Sequence, residues 1–250
     1  MRCAKALGAI LLFNRPHHQR IARLLEALNG PLLREHHCLF GGGTAIALKF
    51  GEYRESVDVD FLVSEIGNYR GLRNALTGVD GLGAITRQGT APLETASGLT
   101  ADQYGIRTRV VVDGQPIKFE IVLEARISFE PAGYGDEICG IATLTPLDMT
   151  TSKLLANSDR WPDDGVFSRD LIDLAMMQPS LGLLRRAVAK AEEPYGSAVL
   201  RDLKRAIDRM QSRTGWLERC MQAMSMTDPK AIVWQRIRAL RRVLPRSDQT

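Results

Sequence analysis

Cysteine is scarce and scattered. Cys3, Cys38, Cys139 and Cys220 lie far apart with no C-x-x-C pair, so neither a zinc knuckle nor a disulfide framework is suggested, and reduced thiols in a cytoplasmic protein are the simplest reading. Histidine is equally sparse: His17, His18, His36 and His37 form two adjacent pairs with no Cys or carboxylate at ligand spacing, and read as surface or loop residues. No apolar run approaches the roughly 20 residues needed to span a bilayer, so no membrane partner is expected. The start, MRCAKALGAILLF, has basic residues ahead of a short apolar run, like the front of a signal peptide. It has no clear A-x-A site and gives way to NRPHHQR, which favours a buried N-terminal segment. There is no internal repeat and no low-complexity tract.

What is present is an ordinary globular composition. Of the 250 residues 44% are apolar, enough for one large domain or two modest ones, and the net charge of +4 permits an anionic partner without identifying it. Ile21, Leu24, Leu25 and Leu28 recur at helical spacing between His17 and Leu28, with a stop at Asn29-Gly30-Pro31. HHCLF reads as a short buried strand running into the glycines, and a helix is expected over Thr44 to Phe50 with Thr44 capping it. A strand over SVDVDFLV and a helix over Asn68 to Leu76 follow. A Gly/Thr/Ala-rich passage then carries no clear signal. IRTRVVVDG and PIKFEIVLEARISF read as a hairpin turning at Asp113-Gly114. From Pro146 the pattern is almost entirely helical, broken by NSDRWPDDGVFS, an expected exposed loop whose flanks can meet in space. The fold expected is α+β, a mixed sheet with flanking helices over residues 1–145 and an α-helical region over 146–250.

The stretch FGGGTAIALKFGEYRESVDVDFLV carries the chemistry. On a strand, Ser56, Asp58 and Asp60 would share one face, and Val57, Val59, Phe61 and Val63 the other. Two carboxylates about 6 Å apart repel by roughly 3 kcal/mol at an effective dielectric of about 20 unless a cation intervenes. Hard oxygen donors suit Mg2+ or Mn2+, which also draws ligands from substrate phosphates. Gly42 and Gly43 let backbone approach a phosphate and lead into a helix N-terminus that attracts anions. Glu120, between Phe119 and Ile121, is the candidate third carboxylate for a two-metal displacement. A Walker loop would need Gly-Lys-Ser/Thr, and a dinucleotide fold its spaced glycines with a distant acid. FGGGTAIALKF has neither.

The order GG[ST], then D-x-D on the next strand, then a lone acid on a later strand, resembles the nucleotidyltransferase superfamily with a polymerase-β type palm. GGTAIAL followed by RESVDVDF resembles more closely the AbiEii/AbiGii nucleotidyltransferase toxins, which include the MenA-like toxins, and the likeness extends to SKLLA and SRDLIDL. The resemblance implies that Gly42, Gly43 and Thr44 cradle an NTP triphosphate. It implies that Ser56, Asp58 and Asp60 are the S-x-D-x-D signature, that Lys153 lies near the phosphates, and that Asp170 is a further active-site acid, with Asp173 less certain. Asp58, Asp60 and Glu120 would hold the metal. It further implies transfer of a nucleoside monophosphate to an acceptor hydroxyl at the 3′ end of tRNA, an antitoxin of protein or RNA, and a role in phage defence.

Other readings stand beside it. A small-molecule nucleotidyltransferase of the antibiotic-modifying type shares the palm, and a non-catalytic nucleotide- or RNA-binding module would keep the fold. Lys153 has a bland reading as a solvent-facing helix lysine, and Arg169 with Asp173 as a surface ion pair. The C-terminal half concentrates Arg185, Arg186, Lys190, Arg201, Lys204, Arg205, Arg209 and Arg213, then Arg236, Arg238, Arg241, Arg242 and Arg246. Such segregation is the footprint expected for a nucleic-acid backbone.

Overall fold

A computed structural model describes residues 13–245. The signal-like start as far as Leu12, with Cys3, and Arg246 of the second basic cluster lie outside the described residues. The chain divides between Thr145 and Pro146 into two compact units.

The first unit is built on a five-stranded mixed sheet. Helix α1 (Pro16–Ala27) turns His18, Ile21, Ala22, Leu24 and Leu25 inward, with Pro16 opening it where no N–H is needed. The chain does break after Leu28, but Asn29 at once starts a second short helix, α2 (Gly30–Glu35), by accepting Leu32 N–H on its side chain. Strand β1 (Leu39–Gly41) runs straight into α3 (Gly42–Lys49). Strand β2 (Val59–Val63) and helix α4 (Ile66–Leu76) follow. Then come β3 (Glu94–Ala101), β4 (Gly105–Val112) and β5 (Gln115–Leu123). A small pair, β6 (Glu137–Ile138) and β7 (Ile141–Ala142), lies outside the main sheet.

The strand order is β1-β2-β5-β4-β3; β2 and β5 run parallel and every other neighbour antiparallel. The β4–β5 hairpin turns at Asp113 and Gly114, both with positive φ, as a two-residue turn of this type requires. Phe40, Phe61 and Phe119 pack in turn on the buried face as tilted ring pairs, with centroids 5.7 and 5.6 Å apart. Contacts of this kind add about 0.5–1.5 kcal/mol each beyond area burial.

Three expectations are corrected here. Helix α3 begins at Gly42, so Thr44 lies buried inside its first turn and caps nothing. Pairing of β2 begins at Val59, so Ser56, Val57 and Asp58 precede the strand, and Val57 is 49% exposed instead of facing the core. The unassigned passage contains β3, an exposed and twice-bulged edge strand whose pattern no core shapes.

The second unit is helical: α5 (Pro146–Arg160), α6 (Arg169–Met177), α7 (Leu181–Tyr195), α8 (Ala198–Ser212), α9 (Trp216–Ala223) and α10 (Lys230–Ala239). Its core includes Leu154, Leu155, Ile172, Leu184, Leu203, Ile207 and Ile237. Helix α5 continues through Asn157–Arg160, so the expected loop begins at Trp161. No helix among the described residues is long and apolar enough to cross a membrane.

Candidate active site

Behind the packed phenylalanines, the open face of the sheet carries a polar row. Ladder pairing sets Gly41 opposite Asp60, Asp60 opposite Glu120, Glu120 opposite Arg107, and Arg107 opposite Thr100. Adjacent strands are about 4.8 Å apart, so Asp60 and Glu120 stand side by side. Lys118, two residues before Glu120, shares its face and gives an ion pair of 2.6 Å; Arg107 approaches the other Glu120 oxygen at 3.1 Å. Burial pulls the Lys118 ammonium down, but Glu120 and then the charges of Asp58 and Asp60 outweigh it and hold its pKa above the ordinary lysine value. Lys118 is thus a cation that interacts with all three acids.

The glycine turn is fitted against these groups. Gly42 has φ +66, and a Cβ there would fall 2.5 Å from Asp60 Oδ2. A Cβ on Gly43 would collide with Nη2 of the buried Arg54. Thr44 Oγ1 donates to Ser56 Oγ at 2.8 Å, which ties the first turn of α3 to the segment carrying Asp58. The structure therefore brings Gly42, Gly43, Thr44, Ser56 and Asp60 together, with Glu120 beside Asp60.

Glu120 does not complete a carboxylate cluster in this arrangement. Among the described residues no group of three or more His, Cys, Asp or Glu side chains gathers closely enough to hold a metal ion, and Glu120 is engaged by its two cations instead. The donor chemistry still fits a hard divalent cation. Asp58 and Asp60 are half-buried oxygen donors, and Gly42, with no side chain, lets the turn approach the Asp60 carboxylate closely.

Lys153, Asp170 and Asp173 meet inside the second unit. Lys153 is 6% exposed and lies 2.9 Å from Asp170 Oδ1 and 2.7 Å from Asp173 Oδ2. Arg160 grips the same Asp170 through Nε at 2.7 Å and Nη2 at 3.0 Å. Burial alone would raise the Asp170 pKa, but the Lys153 charge and the Arg160 contact hold it well below the usual carboxylate range. Neither bland reading survives, since Lys153 does not face solvent and Asp173 pairs with Lys153 within the core.

The loop delivering Asp170 is strained: Phe167 and Ser168 both adopt left-handed φ, of 50 and 48°. Trp216 holds it by stacking on Phe167 and donating Nε1–H to Ser168 Oγ at 3.0 Å. Much of the basic excess is internally paired, including Lys190 with Asp148, Arg213 with Asp164, and Arg241 with Asp208.

Sequence reasoning gave no role to three residues here. Lys118 sits two positions before Glu120 on β5, an alternation that was readable, whereas Arg54 lies ahead of the ladder, where no alternation holds. His18, taken for a surface or loop residue, is fully buried beside Ser56.

No curated protein matches the chain at a significant level. Two solved structures from Helicobacter pylori are similar to it. One is a protein proposed to be a nucleotidyltransferase, 16% identical with a TM-score of 0.48, the match covering 91% of this chain and 94% of that one. The other, JHP933, is 16% identical with a TM-score of 0.47, the match covering 96% and 93%. Residues 23–243 match the family described as nucleotidyl transferase AbiEii toxin of type IV toxin–antitoxin systems. That match spans both units, and the chain belongs to the AbiEii nucleotidyltransferase toxins.

Proposed function

We propose that this nucleotidyltransferase moves a nucleoside monophosphate from an NTP to the 3′-terminal hydroxyl of a tRNA. The observation that carries the reading is the close fit of the glycine turn to Asp60 and Ser56, which puts a phosphate cradle and hard oxygen donors in one place. The acceptor oxygen bonds to the α-phosphorus, the bond to the β-phosphate oxygen breaks, and pyrophosphate leaves. The start of α3, with Gly42, Gly43 and Thr44, binds the triphosphate through backbone N–H groups. Buried Arg54 offsets its charge. Ser56 orients a phosphate or the acceptor, and Glu120, released from Lys118, takes the acceptor proton. Asp58 and Asp60, joined by Glu120, would hold Mg2+, which supplies charge neutralisation at the phosphates and lowers the acceptor pKa. Lys153 and Asp170 are carried into the proposal on the family resemblance alone.

An RNA acceptor is supported by the open sheet face, where Arg107, Arg109 and Lys118 continue outward from the carboxylates, and by exposed Arg185, Arg186 and Arg238. Family membership implies a cognate antitoxin, and the proposal places the pair in phage defence in the cytoplasm. The test is incubation of the purified chain with Mg2+, each labelled NTP and total RNA, followed by sequencing of RNA 3′ ends. Label at tRNA ends that disappears in Asp58→Asn supports the reading. Label on a small-molecule acceptor, or none on RNA, overturns it.

A further inference from the structure

Ser56 and Asp58 lie just ahead of β2, in a stretch with neither helix nor strand, so ladder pairing does not set their position. Two adjacent histidines at the start of α1 reach them from about 40 residues away. His18 is 0% exposed. Its Nδ1 lies 2.8 Å from Glu52 Oε1, and its Nε2 lies 3.2 Å from the Ser56 backbone nitrogen. A carboxylate only accepts, so the proton sits on Nδ1, and Nε2 is left with a lone pair that accepts the Ser56 N–H. His17 takes the peptide group joining Val57 to Asp58: its Nε2 is 3.0 Å from the Val57 carbonyl oxygen and donates to it.

The far end of this chain is also fixed. Glu52 accepts from Asn14 N at 2.7 Å and Arg15 N at 3.2 Å, and its own carbonyl accepts from Arg15 Nε at 3.1 Å. It does so in a left-handed conformation, φ 54, which for a residue with a side chain costs roughly 1–2 kcal/mol. Backbone strain, a buried imidazole and a carboxylate with both oxygens engaged converge on one short segment. That segment carries the hydroxyl bonded to Thr44 and, two residues on, Asp58.

We infer that His18, oriented by Glu52 and assisted by His17, is a positioning device that sets Ser56 and Asp58 for nucleotidyl transfer, and that neutral His18 is the working form. The inference rests on the reading above, in which Ser56 and Asp58 serve the transfer. A proton on Nε2 would face the Ser56 N–H donor to donor, and the segment would be released. The charged groups acting on His18 are Glu52, Arg15 and His17. Burial is the largest influence and keeps its pKa below the ordinary 6.5 against the pull of Glu52.

The experiment compares His18→Phe, which keeps a ring without nitrogens, with His18→Gln, whose amide oxygen accepts the Ser56 N–H. His18→Phe is expected to lower kcat by about ten- to a hundredfold, as a displacement of order 1 Å would, while KM for the NTP changes less than about threefold. His18→Gln recovers part of kcat and lacks the wild-type fall of kcat on the acid side of pH 6.5. Amide exchange over residues 54–58 is followed in parallel, and His18→Phe loses protection there without global unfolding. Wild-type kcat in His18→Phe, an acid limb unchanged in His18→Gln, or unchanged exchange overturns the inference. If the wild-type chain transfers nothing, the functional reading fails, and exchange alone still decides whether the clamp exists.

Discussion

Asp60 and Gly42 are so closely fitted that a Cβ on Gly42 would lie 2.5 Å from the Asp60 carboxylate oxygen. The relationship joins the turn at the end of β1 to the strand that carries the second aspartate of the signature. Gly42→Ala combines two penalties, a left-handed φ of +66 and displacement of the carboxylate. The expected loss of stability is about 1–3 kcal/mol, with a fall in kcat of about a hundredfold from the misplaced donor. Urea unfolding and initial-rate measurements check it, and a folded variant with wild-type kcat would show that the fit is incidental.

Lys118 competes with any cation for Glu120 and also feels Asp58 and Asp60. Replacing it with methionine keeps the stem and removes the charge. The Mg2+ concentration giving half-maximal transfer is expected to fall several-fold, and calorimetric titration with Mg2+ should show tighter binding. A weaker metal response would instead assign Lys118 to the substrate.

Alternation made Asp60, Phe61 and Val63 readable in advance, because β2 is paired on both sides and one face is core. The same rule failed at Val57, two residues outside the ladder, where no pairing imposes a period of two. The hairpin at Asp113-Gly114 was legible because positive φ at both positions leaves few residue choices. His18 was illegible for the opposite reason. Its partners, Glu52 and Ser56, lie 34 and 38 residues away, and nothing local distinguishes a buried histidine at a helix start from an exposed one. Edge strand β3, lacking a buried face, left no apolar pattern to read.

The network around Lys153 predicts an asymmetric cost. Lys153→Met leaves Asp170 with Arg160 but takes from buried Asp173 the ammonium 2.7 Å away. Removing one partner of a buried ion pair costs about 3–5 kcal/mol. Adding Asp173→Asn to that variant removes the buried charge that Lys153 faced and is expected to restore part of the loss. Denaturant melts of the single and double variants measure it, and a single variant within about 0.5 kcal/mol of wild type would show that Asp173 does not depend on Lys153.

Asp170 gives the second unit a defined acid sensitivity. Its pKa in the folded chain lies below the ordinary 3.8, because the Lys153 and Arg160 charges outweigh burial. The folded state therefore binds fewer protons than the unfolded state as the pH drops past 3.8. Stability from this group is fully present above that value, and it is lost progressively as the pH falls through the lowered folded value. Asp170→Asn removes the titration while keeping the shape. It is expected to be less stable than wild type at neutral pH, since Lys153 and Arg160 lose a counter-charge, but to show a flatter decline below pH 4. Unfolding free energies measured from pH 6 to pH 2 on both proteins test the sign. A wild-type curve no steeper than the variant's would show that Asp170 is not held in its charged form by these two cations.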